Sequence, residues 1–203
     1  MDVIRAAGLL LGTFLFCGIP FGYLIGRAGG VDVRREGSGN IGATNLLRTR
    51  GRVAGALTLV LDILKGAAPV VVARGWFPEV PFMPIGVAFV AVLGHCFSPY
   101  LAFRGGKGVA TALGAFVVLL PPAAAGALVL FAGVVAATRL VALGSVVAAL
   151  GFSPLAWLLG SPAIAAGSLP TAALIVLRHR ENLRRIRAGT ETRLGARRGG
   201  ESR

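Results

Sequence analysis

Hydroxyls, carboxamides and cations gather around glycine at two places in this chain, and a third place sets a histidine beside a carboxamide. The first is Glu36-Gly37-Ser38-Gly39-Asn40-Ile41-Gly42-Ala43-Thr44-Asn45-Leu46-Leu47-Arg48. Small residues let a backbone approach a ligand closely. Ser38, Asn40, Thr44 and Asn45 supply neutral hydrogen-bonding groups, and Arg48 adds a planar fork suited to phosphate or carboxylate. A plain connecting loop would carry the same residues. The second place centres on Gly105-Gly106-Lys107-Gly108, ahead of an apolar run. Free N–H groups at a helix start make an anion site, and Lys107 adds a full charge. Its plainer role is that of a snorkelling anchor. This is not a Walker loop, which needs glycine six residues before the lysine and Ser or Thr directly after it. Leu101 and Gly108 stand there.

His95 heads the second stretch. The histidine-x4-aspartate dyad of many acyltransferases is absent, because Cys96, Phe97, Ser98, Pro99 and Tyr100 follow. His95 is left to bind a hydroxyl or phosphate, or to fix the loop. In the third stretch, 177–191, a helix would put His179, Asn182 and Ile186 on one face. A histidine and an amide presented together can bind or deprotonate an alcohol and stabilise an oxyanion. A positive flank to a membrane span is the simpler account of so basic a run, with Glu181 and Arg185 as an i, i+4 ion pair. Asp62 and Lys65 lie three apart in an apolar segment, where each charge costs about 2.5–3.5 kcal/mol. A structural pair is expected there, with Asp62 as a base the second possibility.

The elements that must position these groups are membrane helices. The 203 residues are 55% hydrophobic and 14% charged, with mean hydropathy +0.78; soluble chains carry about a quarter charged residues. The net charge of +13 lies between and after the apolar runs, which points to a cytoplasmic membrane face and anionic small molecules. Nucleic acid is not expected, since the basic C-terminus has no aromatic residue after Trp157. Cys17 and Cys96 match no metal spacing and imply no disulfide. No metal or cofactor is called for.

Apolar spans are expected over 6–25, 53–73 and 82–97. The run 109–137 would extend roughly 44 Å as one helix, beyond a hydrocarbon core of about 30 Å. Pro121-Pro122 breaks it into two short spans. Residues 140–159 make a sixth, and a seventh runs to Leu177 with Ser161 as N-cap and Pro162 in first helical position. A retained first span fits better than a signal peptide, whose apolar region would be shorter. With the N-terminus outside and the C-terminus cytoplasmic, 18 of the 21 Lys and Arg fall inside, as the positive-inside rule asks. The fold class is thus an all-α polytopic membrane protein of about seven transmembrane helices. Residues 1–190 form a single membrane domain and 191–203 a basic, flexible tail. All three polar stretches then share the cytoplasmic face.

Together the three stretches resemble the acyl-phosphate-dependent glycerol-3-phosphate acyltransferases of bacterial membranes. Residues 37–45 match Gly-Ser-Gly-Asn-x-Gly-x-Thr-Asn. Residues 94–111 match Gly-His-x-x-x-Pro through Phe-basic-Gly-Gly-Lys-Gly-x-Ala-Thr, and 178–191 match Arg-His-x-x-Asn-x-x-Arg through Gly-x-Glu. Order, spacing and length agree over nearly the whole chain. The resemblance implies a monomeric multi-pass enzyme of the bacterial inner membrane. It would move a fatty acyl group from acyl phosphate to the 1-hydroxyl of sn-glycerol 3-phosphate, giving lysophosphatidic acid and phosphate without an acyl-enzyme. Ser38, Asn40, Lys107, His179 and Asn182 are the expected catalytic residues. Arg48, Thr44, Asn45, His95, Gly105, Gly106 and Gly108 are the expected substrate-binding ones. A transporter for a phosphorylated metabolite is the competing expectation.

Overall fold

The computed structural model describes residues 3–195, and every regular element among them is helical. In order these are α1 (Val3–Gly18), α2 (Phe21–Ala28), α3 (Ala43–Trp76), α4 (Phe82–Cys96), a 3₁₀ turn (Pro99–Leu101), α5 (Val109–Leu119), α6 (Pro121–Thr138), α7 (Val141–Leu158), α8 (Pro162–Arg178) and α9 (Arg180–Arg187). Among the described residues, five segments are long and apolar enough to cross a membrane: Val3–Ala28, Ala43–Trp76, Phe82–Leu101, Pro121–Thr138 and Val141–Leu158. The shorter apolar helices α5 and α8 pack among them.

The expected break at Pro121-Pro122 is present. Leu120 leaves helical geometry at φ −151°, and the two prolines open α6, where their missing N–H groups cost nothing. Two other expected boundaries shift. The span expected over 6–25 is interrupted between Gly18 and Phe21, because Pro20 cannot continue the ladder of α1. The freed carbonyls find side chains: Ser98 Oγ donates to Gly18 O at 2.6 Å and Lys65 Nζ to Ile19 O at 2.8 Å. The span expected from Val53 begins ten residues earlier, at Ala43. Thr44, Asn45 and Arg48 are therefore helical, and Gly51, at φ +86°, bends this first piece away from the membrane segment. Ser161 precedes α8 as expected but makes no side-chain capping bond.

Close helix contact rests on small residues, as it does where lipid supplies no hydrophobic drive between helices. A Cβ at Gly66 of α3 would overlap the Thr111 carbonyl of α5, and one at Gly114 would overlap the Ile63 carbonyl of α3. Pro69 in α3 lacks the N–H that would bond the Lys65 carbonyl, and Cys17 Sγ donates to it instead at 3.1 Å. Both cysteines are free and buried. Asp62 and Lys65 form the expected pair at 2.8 Å, each only 2% exposed. Most of the buried hydrophobic residues make one core across these helices, where Phe116 and Phe152 stack at 4.3 Å.

Candidate active site

The three polar stretches meet at one end of the bundle around a cavity of about 180 Å³. The first loop brings Ser38 and Asn40, and the first turn of α3 brings Thr44, Asn45 and Arg48. Gly108 and Lys107 come from the loop before α5, His95 from the end of α4, and His179 and Asn182 from the α8–α9 junction. Ten of the expected site residues thus share one space. Two helix N-termini, those of α3 and α5, open onto it through Ala43, Thr44, Val109 and Ala110. Each carries partial positive charge and N–H groups without partners inside its helix.

Local bonding explains the arrangement. The Asn45 side chain ties the loop down: its Oδ1 accepts from Ser38 N at 2.9 Å, and its Nδ2 donates to Val33 O and Glu36 O, both at 3.0 Å. Asn40 Oδ1 accepts from Gly42 N at 2.8 Å, a turn that leads into α3. Gly105 and Gly106 do not line the cavity, and their amides are not available for phosphate. Gly105 N donates to Cys96 O and Gly106 N to His95 O, both at 3.1 Å, which satisfies the end of α4. Their carbonyls accept from Arg178 at 2.8 and 3.1 Å. Side chains are excluded here because a Cβ on Gly106 would meet the His95 ring.

His95 Nδ1 lies 3.2 Å from Thr111 Oγ1 and 3.7 Å from Asp62 Oδ1, and Asp62 lines the cavity beside it. His179 Nδ1 lies 2.8 Å from the Ile175 carbonyl. A carbonyl only accepts, so Nδ1 carries the proton and Nε2 keeps a lone pair. Burial, reinforced by the charge of Lys107, lowers the His179 pKa to about 4, so the ring is neutral near pH 7. Burial also lowers Lys107 to about 8. Glu191 opposes that shift, while Arg185, Arg178 and Arg48 add to it.

Glu191 was not among the expected site residues, although the third motif ends on it. Lys107 Nζ donates to Asn182 Oδ1, and Asn182 Nδ2 donates to Glu191 Oε1 at 2.7 Å. Arg185 Nε donates to Glu191 Oε2 at 2.7 Å. The expected Glu181–Arg185 pair is therefore replaced. Glu181 meets Arg184 at 3.1 Å and Arg180 at 3.5 Å, while the turn at Gly189, φ +71°, returns Glu191 to Arg185. The first described residues of the expected flexible tail, 191–195, are likewise bonded to the site end: Arg48 Nη2 donates to Thr192 O at 3.1 Å. Residues 196–203 lie outside the described residues.

Beyond the polar cavity lies an apolar one of about 110 Å³, walled by Ala112, Leu113, Phe116, Ala124 and Phe152 among others. The two share Val109, Phe131 and Ser145. A headgroup and an attached chain would thus find contiguous spaces of opposite character.

A family model described as glycerol-3-phosphate acyltransferase matches residues 7–189. The chain belongs to the glycerol-3-phosphate acyltransferase family. A family member from Geobacter metallireducens is 52% identical over 93% of this chain and 97% of its own. One from Rubrobacter xylanophilus is 43% identical over 95% and 96%. A crystal structure of PlsY (YgiH), an integral membrane glycerol 3-phosphate acyltransferase in its glycerol 3-phosphate form, matches with a TM-score of 0.90. It is 36% identical and covers 94% of this chain and 96% of that one. Its lysophosphatidic acid form gives 0.87 at 35% identity. Membership makes this chain an integral membrane acyltransferase, and the transporter expectation falls.

Proposed function

We propose that this acyltransferase uses acyl phosphate as donor and sn-glycerol 3-phosphate as acceptor, releasing lysophosphatidic acid and inorganic phosphate at the cytoplasmic face of a bacterial inner membrane. The observation that carries the reading is the junction of a cation-lined polar cavity with an apolar one through Val109, Phe131 and Ser145. Both substrates bear phosphate, and only the donor bears a long chain. Arg48, Lys107 and Ser38 are suited to hold phosphate beside the starts of α3 and α5. The donor's chain would lie along Phe116 and Phe131.

The donor is already a mixed anhydride, so positioning and charge neutralisation account for most of the catalysis. The 1-hydroxyl oxygen adds to the acyl carbonyl carbon. The bond from that carbon to the phosphate oxygen then breaks, and phosphate leaves with the electron pair. The hydroxyl proton passes to His179 Nε2 or to a phosphate oxygen. Asn40 and Asn182 orient the hydroxyl and the carbonyl oxygen. Among the described residues no histidine hydrogen-bonds the Ser38 hydroxyl, so Ser38 lacks the base that a covalent nucleophile requires. The test supplies purified protein with glycerol 3-phosphate and, in parallel, acyl phosphate, acyl-CoA or acyl carrier protein bearing the same chain. Lysophosphatidic acid and phosphate in equal amounts from acyl phosphate alone are expected. Turnover of either thioester in its place would overturn the donor assignment.

A further inference from the structure

The chain after α9 crosses the mouth of the site as a strap. It starts at Gly189, where Thr190 N and Glu191 N both donate to Arg185 O, at 2.8 and 3.2 Å. Glu191 then reaches Asn182, and Thr192 O takes the Arg48 guanidinium. Two residues later the strap meets Arg139, at the α6–α7 junction and 55 positions away in sequence. Leu194 N donates to Arg139 O at 2.7 Å, and Arg139 Nε donates to Leu194 O at 2.9 Å. One residue thus grips another from both its backbone and its side chain.

The grip coincides with a costly conformation. Arg139 ends α6 in left-handed geometry, φ +61° and ψ +17°, at a position where glycine is usual. A non-glycine residue held there calls for a compensating contact. Arg139 does not itself line the cavity. Beneath the strap is a vestibule of about 910 Å³, lined by Gly37, Ser38, Arg48, Arg185 and Arg193. Ser38, Arg48 and Glu191 also line the polar cavity, so the vestibule adjoins it.

We infer that Arg139 is a positioning residue for binding of the phosphate-bearing acceptor: clasping Leu194, it stretches 192–194 across the mouth and so holds Arg48 in its binding geometry. This rests on the acceptor assignment above. Without the clasp, Thr192 drifts and Arg48 regains the rotamer freedom of an unheld arginine. Surrendering that freedom on each binding event corresponds to about a three- to ten-fold rise in KM for glycerol 3-phosphate. Glu191 stays tied through its own amide and that of Thr190, so Asn182 keeps its orientation and kcat is preserved.

Two variants remove one half of the clasp each. Arg139→Gly relieves the left-handed strain and keeps the backbone bond but loses the guanidinium. Leu194→Pro removes the amide donor and leaves every charge in place. Wild-type and variant proteins are compared by kinetics with both substrates and by amide hydrogen exchange over 190–195. Faster exchange in the strap is expected, with KM for glycerol 3-phosphate raised three- to ten-fold. KM for the donor and kcat should stay within about two-fold. Faster exchange with unchanged KM overturns the inference, and so does a fall in kcat at constant KM. If one variant fails to accumulate, the other decides. Wild-type turnover in the same assay tests the acceptor assignment separately, because the inference concerns only the ratio of variant to wild type.

Discussion

Exchanging Glu191 for glutamine changes almost no volume, yet it should disable the site. The Glu191 carboxylate accepts at both oxygens, from Asn182 Nδ2 and from Arg185 Nε, each at 2.7 Å. Glutamine accepts at one end only, so in Glu191→Gln one of these contacts becomes donor against donor. If the amide keeps Arg185 satisfied, its NH₂ faces Asn182, and Asn182 must turn over to present its oxygen. That turn sets Asn182 Nδ2 against Lys107 Nζ, where Oδ1 now accepts. The loss is one hydrogen bond to a charged group, worth about 1.5–3 kcal/mol. At 1.4 kcal/mol per factor of ten, kcat/KM falls roughly 10- to 150-fold.

A second substitution separates this reasoning from a general loss of fold. In the double variant Asn182→Asp/Glu191→Gln, the carboxylate introduced at position 182 would accept from Lys107 and from the glutamine NH₂. The glutamine oxygen would still accept from Arg185. Every donor then has an acceptor again, whereas Asn182→Asp alone sets two carboxylates face to face. Product formation by mass spectrometry, with thermal unfolding in detergent as a control, should place the double variant above Asn182→Asp, which lacks the same carboxamide but faces a carboxylate. A double variant no more active than Asn182→Asp, or Glu191→Gln within two-fold of wild type, would falsify the relay.

Activity that depends on protonated Lys107 should fall as pH rises through about 8, since burial lowers this ammonium from its usual range and the neutral amine cannot hold phosphate. Lys107→Arg, which does not titrate, should remove that alkaline limb from the profile of kcat/KM, whatever its effect on the plateau. Ser145→Leu, at the neck between the cavities, should raise KM for long-chain donors about ten-fold or more and leave KM for glycerol 3-phosphate unchanged; equal effects on both would refute the chain path. Lys65→Met leaves the buried Asp62 carboxylate without its cation and should cost about 3–5 kcal/mol of stability. Asp62→Asn/Lys65→Met should unfold at a higher temperature than Lys65→Met, and a double variant less stable than that single would contradict the pair.

Much of the site was legible because its chemistry is local. Ser38, Asn40, Lys107, His179 and Asn182 stand in short polar runs that glycine and charge mark out from apolar surroundings, and each lines the cavity. What composition and spacing could not show was which polar groups the backbone itself consumes. Gly105 and Gly106 look like a phosphate cradle, but their amides go to Cys96 and His95, an allocation set by the position of α4. Asn45 reads as a ligand group and serves as the staple of its own loop. Glu191 was hidden for the opposite reason. It follows a run so basic that Glu181 looked like the partner of Arg185, and only the turn at Gly189 brings Glu191 back. The bend at Gly51 left no trace in hydropathy, so helical Arg48 read as loop.

The buried charges and the broken helices have one cause. Non-helical backbone at membrane depth is tolerated where protein or a polar cavity satisfies it. Here α1 breaks at Pro20 and α3 loses a bond at Pro69, and the orphaned carbonyls take donors from Ser98, Lys65 and Cys17. Lys65 is held at that depth by Asp62, which in turn faces His95 at 3.7 Å and the cavity wall. The pair therefore has two duties: it completes the backbone of the interrupted helix and puts a second carboxylate, besides Glu191, among the cations of the site. A carboxylate there disfavours a phosphate at the cavity floor and leaves Arg48 and Lys107 as the favoured anchors. In Asp62→Asn that bias should disappear while Lys65 keeps its bond to Ile19. The variant is then expected to bind inorganic phosphate more tightly than wild type, while its turnover falls because product phosphate leaves slowly. Phosphate inhibition of the two proteins measures this, and an inhibition constant that does not fall in Asp62→Asn refutes it.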